Sequence, residues 1–180
     1  MPVDLTQLTP EFQAKAQTLL DQCDAAGYTM QPNEGLRPPS VQAKYWRQSR
    51  TADQINAEIA KLNAAGAPWL ASCIDGVGPQ SGDPITNAIP GLSWHQWGEA
   101  LDCVWIVDDK EEWSIDRLVN GKNGYAVYAQ LATALGLTAG GLWATLKDWP
   151  HVQLRSAASP LSVPLTLPEI DAAMKARFGV

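Results

Sequence analysis

No apolar run in this 180-residue chain approaches the roughly 20 residues needed to span a bilayer. Positive charge is also scarce: 13 Lys and Arg against 19 Asp and Glu leave a net charge of −6. That balance argues against a nucleic-acid or anionic-membrane partner. The three cysteines, Cys23, Cys73 and Cys103, are widely spaced, with no C-x-x-C. They cannot form a complete disulfide framework or a cysteine-rich structural zinc site. Reduced thiols are expected, with Cys103 turned into the core from a strand on which Asp102 faces the other way. Met1-Pro2-Val3-Asp4-Leu5 has no basic stretch leading into an apolar core, so no signal peptide is expected and synthesis is placed in the cytoplasm.

Histidine is scarcer still, with two in the chain. The first sits in Ser93-Trp94-His95-Gln96-Trp97-Gly98-Glu99-Ala100-Leu101-Asp102 and the second in Asp148-Trp149-Pro150-His151-Val152-Gln153-Leu154. Each has a carboxylate nearby. Two neutral imidazoles and one carboxylate are a ligand set for catalytic zinc.

What is present fits a single domain over residues 1–180, and nothing in it demands more than a monomer. Thr9-Pro10-Glu11 starts a helix whose apolar residues recur through Cys23, and Gly27 stops it. Tyr28-Thr29-Met30 reads as a short strand leading into Glu34. Pro38-Pro39 opens a second helix to about Gln48. Thr51-Ala52-Asp53-Gln54 has the form of a capping box, before a helix that closes near Gly66. Residues 75–91 read as a long loop, of a length that is usually functional in a compact domain.

Leu101–Val107 is the best strand, with Val104 and Ile106 on the face of Asp102. Residues 108–123 read as irregular, and Tyr125–Leu135 as a helix ended by Gly136. Gly140-Gly141-Leu142-Trp143 and Val152-Gln153-Leu154 read as short strands, and a last helix runs from Pro168 to about Phe178. The order predicts an α+β domain with a small antiparallel sheet flanked by helices.

In this arrangement His95 lies on a loop entering the strand, Asp102 projects from it, and His151 comes from a neighbouring strand. Gly98 lets the backbone turn closely past the metal. Zinc suits the ligand types, one ion per chain. Asp148, three residues before His151, is the candidate proton carrier. Arg37, on Gly35-Leu36-Arg37-Pro38, is a candidate partner for a developing oxyanion. From Arg37 to Arg50 lie four basic residues and no acidic one. They read either as a solvated helix face or as a positive rim for substrate carboxylates. Of the eight tryptophans, Trp105 and Trp143 read as core, and Trp94, Trp97 and Trp149 as walls of a substrate cleft.

The pattern S-x-H-x-x-G-x-A-x-D, followed by an acidic residue three positions before a second histidine, resembles the zinc peptidases that cut peptidoglycan stem peptides. These include D-alanyl-D-alanine carboxypeptidases and dipeptidases and phage L-alanyl-D-glutamate endopeptidases, with a fold shared with lysostaphin-type enzymes and the hedgehog domain. The resemblance covers about residues 28–155, leaving the helix near 168–178 as a cap. It implies that His95, Asp102 and His151 bind Zn²⁺, that Asp148 is the acid/base, and that Arg37 stabilises the carbonyl oxygen. Ser93 and Gln42 fall within the same motifs, as substrate-side residues. Asp148-Trp149-Pro150-His151 is closer to the phage endolysin branch than to the Glu-x-x-His of the carboxypeptidases. The expected substrate bond is therefore L-Ala–D-Glu in peptidoglycan, with D-Ala–D-Ala cleavage or a non-catalytic hedgehog-like zinc module as alternatives. A phage role implies bacteriolytic action on the host wall after holin-type release; delivery as a toxin between bacteria would use the same chemistry.

Overall fold

Proline marks four helix starts. Pro10, Pro39, Pro68 and Pro168 each fall at the first or second helical position in the computed structural model, which describes residues 3–179. There the missing N–H costs no helical hydrogen bond and the fixed φ already suits the helix. In chain order the elements are α1 (Pro10–Ala25), β1 (Met30–Glu34), α2 (Pro39–Arg47), α3 (Ala52–Ala64), α4 (Pro68–Gly76) and α5 (Trp94–Trp97). They continue with β2 (Ala100–Val107), β3 (Lys110–Glu112), α6 (Gly124–Ala134), β4 (Thr138–Ala139), β5 (His151–Gln153) and α7 (Leu167–Phe178). The sheet is antiparallel, ordered β1-β2-β5-β4, with β3 also paired to β2. This is the expected α+β class. No helix among the described residues is long and apolar enough to cross a membrane.

Two compact units make up the chain. The first joins the N-terminal segment to Leu36 with Trp97–Ser156 and contains the whole sheet, α1 and α6. Alternation along β2 sends Leu101, Cys103 and Trp105 into a core with Phe12, Leu19 and Cys23 of α1 and Tyr125 and Tyr128 of α6. Each large side chain so buried contributes about 1.5–3 kcal/mol. Gly124 opens α6 directly against the Trp105 indole, where a Cβ would come within 2.4 Å of the ring. Asp102 and Val104 take the opposite face of β2, as the alternation predicts.

Three expectations for this unit need correcting. The first strand is Met30–Glu34 rather than Tyr28–Met30; the Tyr28 hydroxyl instead donates to the Val119 carbonyl at 3.0 Å. Residues 108–123 are not wholly irregular, because Asp108 and Asp109, at φ +52° and +59°, form a two-residue turn that returns β3 onto β2. Positive φ at both central residues matches the twist of a hairpin; β3 shows no apolar alternation because Lys110 and Glu111 are exposed. Gly140–Leu142 is a 3-10 turn, and the strand is Thr138–Ala139 before it. A Cβ on Gly140 would lie 2.4 Å from the Asp148 carbonyl oxygen, and one on Gly141 2.3 Å from the Trp149 ring. Those glycines let two backbone segments approach closely.

The second unit, Arg37–Gln96 with the residues from Ala157 onward, contains α2, α3, α4 and α7. The Thr51–Gln54 capping box forms with both hydrogen bonds, at 3.2 and 2.9 Å. Helix α4 is not anticipated by the sequence reading, although Pro68 and the buried Leu70, Ala71 and Ile74 follow helical spacing. Its start lacks a local side-chain cap; Asp171 of α7 supplies one, accepting from the Leu70 N–H at 2.8 Å. Arg47 donates to the Ile74 carbonyl at 2.8 Å near the other end. Arg50 donates to the Trp46 and Thr86 carbonyls. Arg47 and Arg50 thus bind backbone carbonyls, tying together the helix ends and the long loop.

Candidate metal centre

Pairing of β2 with β5 sets Asp102 directly opposite His151, and opposed residues in an antiparallel pair share a face of the sheet. His151 Nδ1 lies 2.8 Å from Asp102 Oδ1, although 49 residues separate them in sequence. The other ring nitrogen, Nε2, lies 3.0 Å from Oε1 of Gln153, two residues along the same strand. His95 sits on α5, a single helical turn, rather than on the expected loop. Ser93 caps that turn: its hydroxyl accepts from the His95 N–H at 3.4 Å, and its own N–H donates to Gln96 Oε1 at 3.1 Å. Ser-Trp-His-Gln therefore makes half of a capping box, the Gln96 side chain returning to the Ser93 N–H while the hydroxyl takes the His95 N–H. Gly98, at φ +70°, then turns the chain into β2. One ligand atom from each of His95, Asp102 and His151 lies within 4.8 Å of the others.

Burial pulls the His151 pKa down, but the Asp102 hydrogen bond and charge, the Asp148 charge and the Gln153 hydrogen bond together raise it above the ordinary imidazole value. The reason is visible in the contacts. A carboxylate oxygen and an unprotonated Nδ1 are both acceptors, and at 2.8 Å they repel unless a cation sits with them. A proton can be that cation, and so can a metal ion. Two imidazoles and a carboxylate, without thiolate, suit zinc, and three protein ligands is the number found in its catalytic sites.

Asp148 is exposed and closes the turn into β5. Its N–H donates to the Gly140 carbonyl at 3.1 Å, and its carbonyl accepts from the His151 N–H at 3.2 Å. Trp149 is half-buried, close over Gly141, with the Lys147 ammonium 5.4 Å from its ring centre. Trp97 is also half-buried, whereas Trp94 is buried and its indole N–H donates to the Ala157 carbonyl at 2.7 Å. Trp143, expected in the core, is half-buried with its ring 5.3 Å from that of His151. Trp105 is a core residue as expected.

Arg37 is buried. Its Nη1 donates to Gln42 Oε1 at 2.9 Å, its backbone N–H donates to the His95 carbonyl at 3.3 Å, and its guanidinium lies 5.2 Å from the Tyr45 ring centre. Gln42 is fully buried; its Oε1 also accepts from Gln96 Nε2 at 3.0 Å, and its Nε2 donates to the Ala88 carbonyl at 2.7 Å. Gln42 thereby joins the Arg37 guanidinium to the turn that carries His95. Sequence reasoning overlooked Gln96, Trp143 and Gln153. For Gln153 a signal existed, since alternation on a strand puts it on the face of His151.

Residues 86–154, which hold both histidine motifs, match the peptidase family described as D-alanyl-D-alanine carboxypeptidase. Among curated proteins, the peptidoglycan L-alanyl-D-glutamate endopeptidase CwlK of Bacillus subtilis (strain 168) is 32% identical over 78 residues. The match covers 42% of this chain and 47% of that relative, so the chain spans about half the relative's length. Among solved structures, the Serratia marcescens L-Ala D-Glu endopeptidase ChiX is similar at a TM-score of 0.48 and 20% identity, over 84% of this chain and 83% of that one.

Proposed function

We propose that this chain is a zinc-dependent endopeptidase that hydrolyses the L-Ala–D-Glu bond of peptidoglycan stem peptides. The observation that carries the reading is the convergence of His95, Asp102 and His151 within the stretch that matches the peptidase family described as D-alanyl-D-alanine carboxypeptidase. These three side chains would hold one zinc ion. When bound, zinc polarises a peptide carbonyl and lowers the pKa of water. Asp148 takes a proton from the attacking water and passes it to the leaving amine. Arg37 donates to the carbonyl oxygen as charge develops there; a guanidinium stays protonated and is preorganised for that task. Trp149 and Trp97 border the substrate, and Ser93 and Gln42 hold the machinery in place. The relative CwlK is named for L-Ala–D-Glu cleavage, which favours that bond.

Purified protein is expected to free the α-amino group of D-glutamate from sacculi, to lose this activity in a chelator and to regain it with zinc. Unchanged hydrolysis by His151→Ala would overturn the scheme. The family description favours a second reading, D-Ala–D-Ala carboxypeptidase activity. Mass spectrometry of digested muropeptides separates the two, since the second releases terminal D-alanine. A non-catalytic zinc module would keep its function in Asp148→Asn, whereas the proposed enzyme loses activity. In biological terms we read the chain as an endolysin-like, bacteriolytic protein that reaches the wall after holin-type release and acts as a monomer.

A further inference from the structure

Gln153 is 2% exposed and hydrogen-bonded at both ends of its amide. Its Nε2 donates to the Arg155 carbonyl at 2.7 Å. That carbonyl is an acceptor only, so it decides which way the amide points: nitrogen towards Arg155, oxygen towards His151. The reversed amide would set two carbonyl oxygens against each other at the same distance. With Oε1 facing His151 Nε2 at 3.0 Å, that ring nitrogen must carry a hydrogen and donate it.

The Arg155 end is itself anchored. Its Nε and Nη2 donate to the two carboxylate oxygens of Glu99 at 2.6 and 2.7 Å, and the Leu154 N–H donates to the Glu99 carbonyl at 2.9 Å. Glu99 immediately precedes β2, and Ala100 is paired with Gln153 in the β2–β5 register. The acceptor that orients the amide is therefore held by the same strand pair that brings Asp102 to His151.

We propose that Gln153 is a positioning residue that holds His151 in its Nε2–H tautomer and so presents Nδ1, the nitrogen beside Asp102, as the metal-binding atom. The inference deepens the zinc reading above and rests on it. A ligating histidine needs its second nitrogen occupied by an acceptor, which selects the tautomer and orients the ring; removing such an acceptor typically weakens metal binding 10- to 100-fold. Here the acceptor is a neutral amide from the same strand, two residues on.

The test measures zinc affinity by competition with a chromophoric chelator for the full chain and for Gln153→Leu and Gln153→Glu. Gln153→Leu is expected to bind zinc about 10- to 100-fold more weakly, and Gln153→Glu, which keeps the oxygen facing His151 but loses the donor to the Arg155 carbonyl, to recover part of the loss. Circular dichroism of the metal-free proteins shows whether each variant folds. Independently of any variant, ¹⁵N-resolved NMR of the zinc-loaded parent protein should show a proton on His151 Nε2 and a metal shift on Nδ1. Zinc binding by folded Gln153→Leu within twofold of the parent would overturn the proposal, as would a proton on Nδ1 in the loaded protein. Should zinc affinity fall in Gln153→Leu while the parent cleaves no peptidoglycan, this inference stands and the endopeptidase reading falls.

Discussion

Asp102 and His151 face each other across two antiparallel strands, oxygen to ring nitrogen at 2.8 Å, in a pairing that neither residue's neighbours in sequence impose. A hydrogen on Nδ1 or a metal ion must lie between them, and the site's behaviour follows from that requirement.

Asp102→Asn keeps the shape of the side chain and removes the charge. The His151 pKa is expected to fall towards or below its ordinary value, because burial then acts against a weaker opposing field. Zinc affinity is expected to drop by at least tenfold. Histidine NMR titration and chelator competition read the two effects; a pKa unmoved by the substitution would contradict the assigned cause.

The pH dependence has a definite sign. In the metal-free protein His151 has a raised pKa. Its protonated pairing with Asp102 therefore adds stability that is fully present below the unfolded-state value near 6.5 and is lost as pH rises through the folded-state value. Zinc must displace the Nδ1 proton, so zinc affinity is expected to increase with pH over the same window, with proton release on binding. Denaturant midpoints of the metal-free protein and calorimetry in buffers of different ionisation enthalpy check both statements.

Gly140→Ala places a methyl group where the Asp148 carbonyl and the Asp148 and His151 Cβ atoms already stand, at 2.4, 3.1 and 3.1 Å. Overpacking of this kind costs about 1–3 kcal/mol, and relief requires the turn that carries Asp148 and His151 to move. A lower unfolding midpoint together with lower kcat on muropeptides is expected. Gly121→Ala is a useful control: it has open space around its Cβ but a φ of +77°, so it carries backbone strain without touching this turn.

Thiol labelling should separate the cysteines. Burial pushes Cys23 up to about 12 and Cys73 to about 11, and raises Cys103 well above its ordinary range. Cys23 and Cys103 are fully buried and Cys73 is half-buried. In native protein near pH 8 only Cys73 is expected to react, and slowly, while denaturant exposes all three. A native-state count of two or three fast thiols would contradict the packing around α1 and β2.

Much of this protein was determined within short windows of sequence. The Thr51–Gln54 box, the Pro10, Pro39 and Pro168 helix starts and the stops at Gly27, Gly66 and Gly136 act over a few residues, so local chemistry alone sets those boundaries. The alternation in β2 likewise separates the Asp102 face from the Cys103 core face. The choice of His95, Asp102 and His151 came from residue type and rarity, which need no fold.

Tertiary structure decided the rest, because it depended on partners far apart in the chain. Helix α4 has its cap on Asp171, 101 residues beyond Leu70, so no local window announces it. Gly140 and Gly141 look like strand residues until Asp148 and Trp149 are brought against them. Trp143 resembles core until β5 places His151 beside it. The tautomer of His151 was set last of all, since it requires the β2–β5 register, the Gln153 amide and the Arg155 carbonyl at once. Residue type nominated the candidate metal ligands, and strand register set Asp102 opposite His151 with Nδ1 beside the carboxylate.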